Sequence, residues 1–285
     1  MHYTCIDCGK VVNISRLDAL KQRCPDCDLV ISSGSYERNI SGGLTLFATT
    51  GENLGHVVIS EGLFRFYCDQ NQDENIIFLN PIETKDILHS DLYNRADKIM
   101  WAEVSNIVNA PRDKRVIHYN LARECSKLAE RGHYPKWYDF EPVEIEDYPF
   151  IVLHLRNVHG NPEKNVTPDE AKKTFEMLSG HIVYLVGNDQ PFYDVETGSN
   201  IINMRGKLTA EQTAWLCGHN NCIATIGKDS GPMHLAAASG GRVIAYGYQS
   251  NRLWVPKAKP GMVTSFVNGH FDDFVEYLDT ELCLD

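Results

Sequence analysis

No run of apolar residues in the 285-residue chain approaches the ~18–20 needed to cross a bilayer, so a helical membrane span is excluded. The opening segment, MHYTCIDCGK, lacks the apolar stretch of a secretory signal. No GxGxxG, Walker A, HExxH or GxSxG pattern occurs, which removes the motif-borne readings of dinucleotide enzyme, P-loop NTPase, zinc protease and serine hydrolase. Internal repeats and low-complexity tracts are absent. Positive charge is scarce: 27 Lys and Arg face 38 Asp and Glu, a net charge of −11. The deficit is spread over both halves, so neither half reads as a polyanion binder, although a local groove can still be basic. What is present is ordinary for a folded protein, with 43% hydrophobic and 23% charged residues. Its length suggests roughly two domains.

Nine cysteines, an odd number without a signal segment, point to a reducing compartment. The expected location is the cytoplasm, or a host cytoplasm for a phage-encoded chain. Four cysteines stand apart. Cys5-x2-Cys8 is followed after fifteen residues by Cys24-x2-Cys27, a spacing that suits a tetrahedral Zn²⁺ site. A segment of about 40 residues buries too little apolar surface to fold alone, and a metal cross-link replaces a core. Four thiolates leave no open coordination position, so the zinc is expected to be structural and a zinc-dependent hydrolase is disfavoured. Free thiols or a redox pair are the alternatives. Cys68, Cys125, Cys217, Cys222 and Cys283 read as small apolar residues.

Beyond residue 40 the texture changes. The stretches 44–50, 76–81, 98–104 and 115–120 read as strands, and 57–70 and 121–132 as helices. The segment 138–149 is acidic, holds Pro142 and Pro149, and looks like a hinge. In the second half, 150–155, 181–187, 200–204, 221–227 and 242–247 read as strands. Thr167-Pro168-Asp169-Glu170 and Thr209-x-x-Gln212 have the spacing of helix-opening capping boxes. Residues 232–241 form a short helix stopped by glycines, and 270–282 an amphipathic one. Alternating strands and helices imply parallel sheets. The expected division is a zinc ribbon over 1–40 and two Rossmann-like α/β domains over 41–147 and 148–285.

The sharpest chemical signal is Gly227-Lys228-Asp229-Ser230-Gly231-Pro232-Met233-His234, lying between a buried strand and a short helix. Asp229 or Ser230 can cap that helix, and Pro232 suits its first turn. Exposed amides and the helix dipole there make a site for a phosphate or pyrophosphate. A merely well-capped helix is the plain alternative.

The stretch KDSGPMHLAAASG (228–240) resembles the D-[ST]-G-P-x-H-x-A-A motif of the heptosyltransferase-type, family nine, glycosyltransferases. The likeness continues through 151–178, 181–189 and 204–216. It covers about 150–270 well and 44–81 loosely, with the cysteine-rich segment outside it. The resemblance implies a GT-B fold: an α/β protein with two Rossmann-like domains facing a cleft, here behind a small N-terminal zinc ribbon. It implies a nucleotide-diphosphate sugar as donor, held mainly by the C-terminal domain. Carried over by position, Ser230 and Gly231 would bind donor phosphates through their amides, with Asp229 shaping the loop. Lys164 would neutralise the leaving diphosphate, or remain a solvated surface lysine. His234 would orient the loop or touch phosphate, or be a buried structural histidine. Met204 and Gly206 fall where the family contacts the nucleoside.

One departure stands out. The family places a catalytic Asp after its first strand, in a G-D-x-x-x-x-x-P context. Here Gly55-His56-Val57-Val58-Ile59-Ser60-Glu61 has His at that position and lacks the Pro. The segment looks more like the G-H element of nucleotide-sugar transferases whose base is His. His56 is therefore the expected general base of an inverting displacement, with Glu52 and Glu61 as carboxylate alternatives or as groups orienting it. A capping or solvated histidine is the plain reading. No Asp-x-Asp pair lies at a strand end in the expected context, and no catalytic metal is expected. The acceptor reads as a glycan or, given the cysteine-rich module, a modified DNA base; residues 1–40 carry no net charge, which argues against nucleic acid. A non-catalytic GT-B-like module that binds nucleotide or protein is the second reading.

Overall fold

The computed structural model describes the backbone of short strands between residues 2 and 118, then residues 121–137, 140–156, 164–188, 198–248, 254–267 and 271–282, with gaps at positions 138 and 139. Side chains are described from Cys125 onward, together with Val58 and Ile59, which are buried. The chain divides into two compact units, Met1–Glu124 and Cys125–Asp285.

The first unit opens with small antiparallel pairs. Strands β1 (His2–Thr4) and β2 (Val11–Asn13) pair with each other. Strands β3 (Gln22–Arg23), β4 (Val30–Ser32) and β5 (Ser35–Glu37) form a second antiparallel sheet. A four-stranded parallel sheet follows, built from β6 (Leu44–Ala48), β7 (Asn75–Pro81), β8 (Lys98–Ala102) and β9 (Val116–His118) in the order β8-β7-β6-β9. All four coincide with the stretches read as strands. Of the helix expected over 57–70, only residues 58 and 59 are described, and both are helical. Helix α1 (Leu121–Glu130) ends two residues before Gly132.

The second unit is a six-stranded parallel sheet. Its strands are β10 (Phe150–His154), β11 (Ile182–Leu185), β12 (Ile201–Asn203), β13 (Cys222–Lys228), β14 (Val243–Tyr248) and β15 (Val263–Val267), in the order β12-β11-β10-β13-β14-β15. Helices α2 (Pro168–Met177), α3 (Ala210–Gly218), α4 (Gly231–Ala238) and α5 (Phe271–Leu282) complete it. Both capping boxes form in full: the Thr167 and Thr209 hydroxyls accept from the amides of Glu170 and Gln212, whose side chains accept in return from the threonine amides.

Strand periodicity builds two cores. Ile151, Leu153 and Leu155 join Ala224, Ile226, Ile244 and Tyr246 on the face packed by α2 and α5. Phe150 and Val152 join Val243, Ala245 and Tyr248 on the face packed by α3 and α4. Tyr246 and Tyr248 are two residues apart yet lie on opposite faces. The cause is Gly247: at φ +80° it accommodates an irregularity in the β14–β15 register that breaks the alternation. Strand β15 was not read from the sequence. Its five residues, VTSFV, are all partly exposed at the sheet edge, so they carry neither a buried run nor a clean alternation. Cys125 and Cys217 are buried and Cys222 partly so. Burial pushes their thiols up to about 12, 12 and 11, as expected of packing residues.

Candidate functional site

In chain order the strands of the second unit run 3-2-1-4-5-6, so the connections reverse direction between β10 and β13. In open parallel sheets the crevice at that reversal, outside the carboxyl ends of the strands, is where ligands bind. His154 ends β10 and Lys228 ends β13, with His154 in register with Gly227. The two backbones approach closely there. A Cβ at Gly227 would lie 2.5 Å from the His154 carbonyl oxygen.

The segment after β13 is the one singled out from sequence. The Asp229 amide donates to the Tyr246 carbonyl at 2.9 Å, which ties the loop to β14. The Asp229 carboxylate accepts from Lys164 Nζ at 2.9 Å. Ser230 occupies the N-cap position of α4 in extended conformation, but its side chain makes no capping hydrogen bond. The hydroxyl is engaged with His154 Nδ1 at 2.9 Å instead. The expectation that Asp229 or Ser230 caps α4 is therefore not met, because each side chain has a partner elsewhere. Pro232 at the start of the helix has no amide to cap, and the Met233 amide donates to the Ser230 carbonyl at 3.2 Å. The amides of Ser230 and Gly231 have no hydrogen-bond partner among the described residues.

A second lysine lies just behind. Lys228 Nζ donates to the Asn165 carbonyl at 2.9 Å and contacts both Glu170 carboxylate oxygens at 3.3 and 3.2 Å. It also sits 5.5 Å from the centre of the Tyr246 ring. Its ammonium is committed to these groups, whereas Lys164, with 34% of its side chain exposed, retains donors for a ligand.

The remaining expected contacts fall into place unevenly. The Gly206 amide donates to the Gly187 carbonyl at 2.8 Å, and the Met204 amide to the Leu185 carbonyl at 2.9 Å. The stretch after β12 is thereby tied to the end of β11, beside His154. The Met204 side chain packs against the α3–α4 core. His234 is buried within α4, four residues beyond the cap. The structure thus gathers Lys164, Asp229, Ser230 and Gly231, with Gly206 at the adjoining strand end. His56, Glu52 and Glu61 lie outside the described residues, as do Cys5, Cys8, Cys24 and Cys27. Among the described residues no group of three or more His, Cys, Asp or Glu is arranged to hold a metal ion.

The sequence reading passed over His154, Lys228 and Glu170 as site residues. The residue of His154 is partly exposed, while its ring is packed between Ser230 and Gly187. Burial first, then the charge of Arg156, holds its imidazole down to about 4, so it is neutral at ordinary pH. A signal for it existed: a single polar residue at the carboxyl end of an otherwise apolar strand, FIVLHL. Two further polar atoms at this end are buried without a hydrogen-bond partner among the described residues, Arg156 Nε and the Tyr248 hydroxyl. Tyr248 is held well above its ordinary range by burial and by the Asp229 carboxylate.

Residues 180–278 match Glycosyltransferase family 9 (heptosyltransferase), from the start of β11 into α5. The chain also resembles solved structures with similar architecture. A family 9 glycosyl transferase from Veillonella parvula aligns at a TM-score of 0.53 and 12% identity, over 86% of this chain and 90% of that one. The ADP-heptose lipopolysaccharide heptosyltransferase II of E. coli aligns at 0.53 and 14%, over 84% and 97%. The dodecameric iron-containing glycosyltransferase TibC of enterotoxigenic E. coli aligns at 0.53 and 15%, over 83% of this chain and 65% of that one. No curated protein matches the chain. The family match supports a glycosyltransferase enzyme. The α/β fold with its six-stranded parallel sheet matches that of GT-B glycosyltransferases. No helix among the described residues is long and apolar enough to cross a membrane.

Proposed function

We propose that the chain transfers a sugar from a nucleotide-diphosphate donor to a hydroxyl acceptor with inversion at the anomeric carbon. The observation that carries this reading is the loop at the β10–β13 reversal: the amides of Ser230 and Gly231, unpartnered among the described residues, lie inside the segment that matches family 9, and Lys164, which precedes that segment, reaches Asp229 beside them. The donor diphosphate would lie on the amides of Ser230 and Gly231, with Lys164 neutralising charge as it departs. Asp229 holds the loop and Lys164 in place, His234 supports α4, and Met204 and Gly206 line the nucleoside side. The related TibC has been crystallised with ADP-D-β-D-heptose, so ADP-heptose is the first donor to test.

The acceptor oxygen attacks the anomeric carbon and its proton passes to His56. The bond from that carbon to the diphosphate oxygen breaks, and the nucleoside diphosphate leaves. Glu52 and Glu61 are the alternatives to His56, or orient it. The acceptor is a hydroxyl of a glycan or of a modified DNA base. Cys5, Cys8, Cys24 and Cys27 would hold one structural Zn²⁺. Supporting that view, each CxxC hook falls in sequence between two strands that pair antiparallel, Thr4 with Val11 and Arg23 with Val30. In this reading residues 1–40 are a zinc ribbon, 41–147 the acceptor domain and 148–285 the donor domain, and the protein works in a cytoplasm.

The test is a panel of nucleotide sugars with the full chain, read as nucleoside diphosphate release and sugar transfer. His56→Ala is expected to lose about 10²–10⁴-fold in transfer while keeping donor affinity. If no nucleotide sugar binds, the reading fails. Donor binding without turnover would favour the non-catalytic module, a reading supported by His standing where the family has its Asp.

A further inference from the structure

Three neighbouring strand ends close around one imidazole. His154 ends β10, with Nδ1 2.9 Å from the Ser230 hydroxyl beyond β13. On the β11 side, a Cβ at Gly187 would stand 3.1 Å from His154 Cδ2 and 3.2 Å from Nε2. The ring is thus held from both sides, and at position 187 only a residue without a side chain leaves it ample room. Its hydrogen-bond partner, Ser230, is the residue from which α4 departs. A serine at an N-cap ordinarily anchors itself to the helix by accepting from one of the first amides. Here that anchor is missing, because residue 232 is a proline and the Met233 amide is taken by the Ser230 carbonyl. The link to His154 is the tether that the Ser230 side chain makes among the described residues, beside the bond from Asp229 to Lys164 one residue earlier.

We propose that His154 is a positioning residue for the donor site: through Ser230 it pins the turn between β13 and α4 so that the amides of Ser230 and Gly231 stay presented to a diphosphate. The inference rests on the donor-site reading given above. A neutral imidazole adds no positive charge to the pocket, so its effect on an anion runs through the geometry of Ser230. Asparagine, whose amide sits close to the position of Nδ1, can replace that hydrogen bond; alanine cannot.

The experiment is calorimetric titration of ADP, UDP and inorganic pyrophosphate into the full chain. The proteins are the parent, His154→Ala, His154→Asn, Ser230→Ala and the double alanine variant, each with its unliganded melting midpoint. The parent binds at least one probe. His154→Ala and Ser230→Ala each weaken it by about five- to tenfold, the worth of one hydrogen bond. The double variant is no weaker than the single ones, and His154→Asn returns to within about twofold. Affinity is expected to follow the tether rather than the melting midpoint. Parent-like affinity in either alanine variant overturns the positioning role, as do additive losses or an asparagine variant as weak as alanine. Should His154→Ala not fold, Ser230→Ala and His154→Asn decide by the same criteria. A parent that binds none of the three probes overturns the donor-site reading itself, and the positioning role with it.

Discussion

Lys164 Nζ stands 2.9 Å from Asp229 Oδ2, joining the loop before α2 to the loop before α4 across 65 residues of sequence. The lysine side chain is 34% exposed and the aspartate 12%, so the pair spans the boundary between solvent and the sheet edge. An ion pair with so exposed a partner contributes about 0–1 kcal/mol to folding. Lys164→Met forgoes that small term but also leaves the Asp229 carboxylate, only 12% exposed, without its cation, so a fall in melting temperature is expected, smaller than that for the more enclosed Lys228 pair. The same change removes the cation paired with Asp229, the residue next to the amides of Ser230 and Gly231. Affinity for ADP or UDP is expected to fall about tenfold, matching a lost charge-assisted hydrogen bond. Scanning fluorimetry and calorimetry on one preparation check both halves.

The imidazole of His154 has an ordinary pKa of 6.5 and is held down to about 4 in the fold. Between those values the unfolded chain binds a proton that the folded one refuses. Stability is expected to be unaffected by this residue above pH 6.5, to decline as the pH falls toward 4, and to lose no more from it below that. Urea midpoints measured from pH 7.5 to 4 should show a shallower decline in His154→Asn than in the parent. Equal slopes would mean that the ring is not buried as described.

Lys228 and Glu170 form a pair whose side chains are only 12% and 17% exposed. Removing one partner strands the other in a poorly solvated place. Lys228→Met is expected to cost about 3 kcal/mol. Glu170→Gln keeps the capping box, which accepts glutamine in that position. Combined with Lys228→Met it is expected to recover part of the loss, since no lone carboxylate remains. A double-variant cycle by chemical denaturation measures it.

Gly227→Ala places a methyl group 2.5 Å from the His154 carbonyl oxygen, with Met233 Cε at 3.1 Å. The methionine tail can move, but the backbone of the paired strand cannot without loosening the sheet at its centre. A loss of about 1–3 kcal/mol is expected, together with weaker nucleotide binding. The measurement is the melting temperature with and without ADP.

Much of the fold is legible because the second unit obeys local rules. Thr167 and Thr209 announce helices by capping boxes, and β10, β13 and β14 are buried runs bounded by turns. Strand β15 is silent since an edge strand half in water needs no marked pattern. The anion loop is legible from 227–234, where glycine, proline and polar residues follow a strand. The use of its side chains is not. Ser230 looks like a cap, and only the pairing of β10 with β13, 76 residues apart in the case of His154 and Ser230, reveals that the hydroxyl points elsewhere. Lys228 likewise reads as a loop lysine until α2 brings Glu170 to it. Such long-range partners leave no trace in local periodicity.

The first strand of the six-stranded sheet to leave the ribosome is a central one. β10 emerges early and receives β11 soon after, but its other neighbour, β13, begins at Cys222, more than 65 residues later. At ~5–20 residues per second this edge waits roughly 4–15 s in the nascent chain. During that interval an apolar strand shows a bare row of amides and carbonyls to the surrounding medium. Chaperone demand and aggregation during synthesis should therefore concentrate on this window, and release of the chain should relieve both.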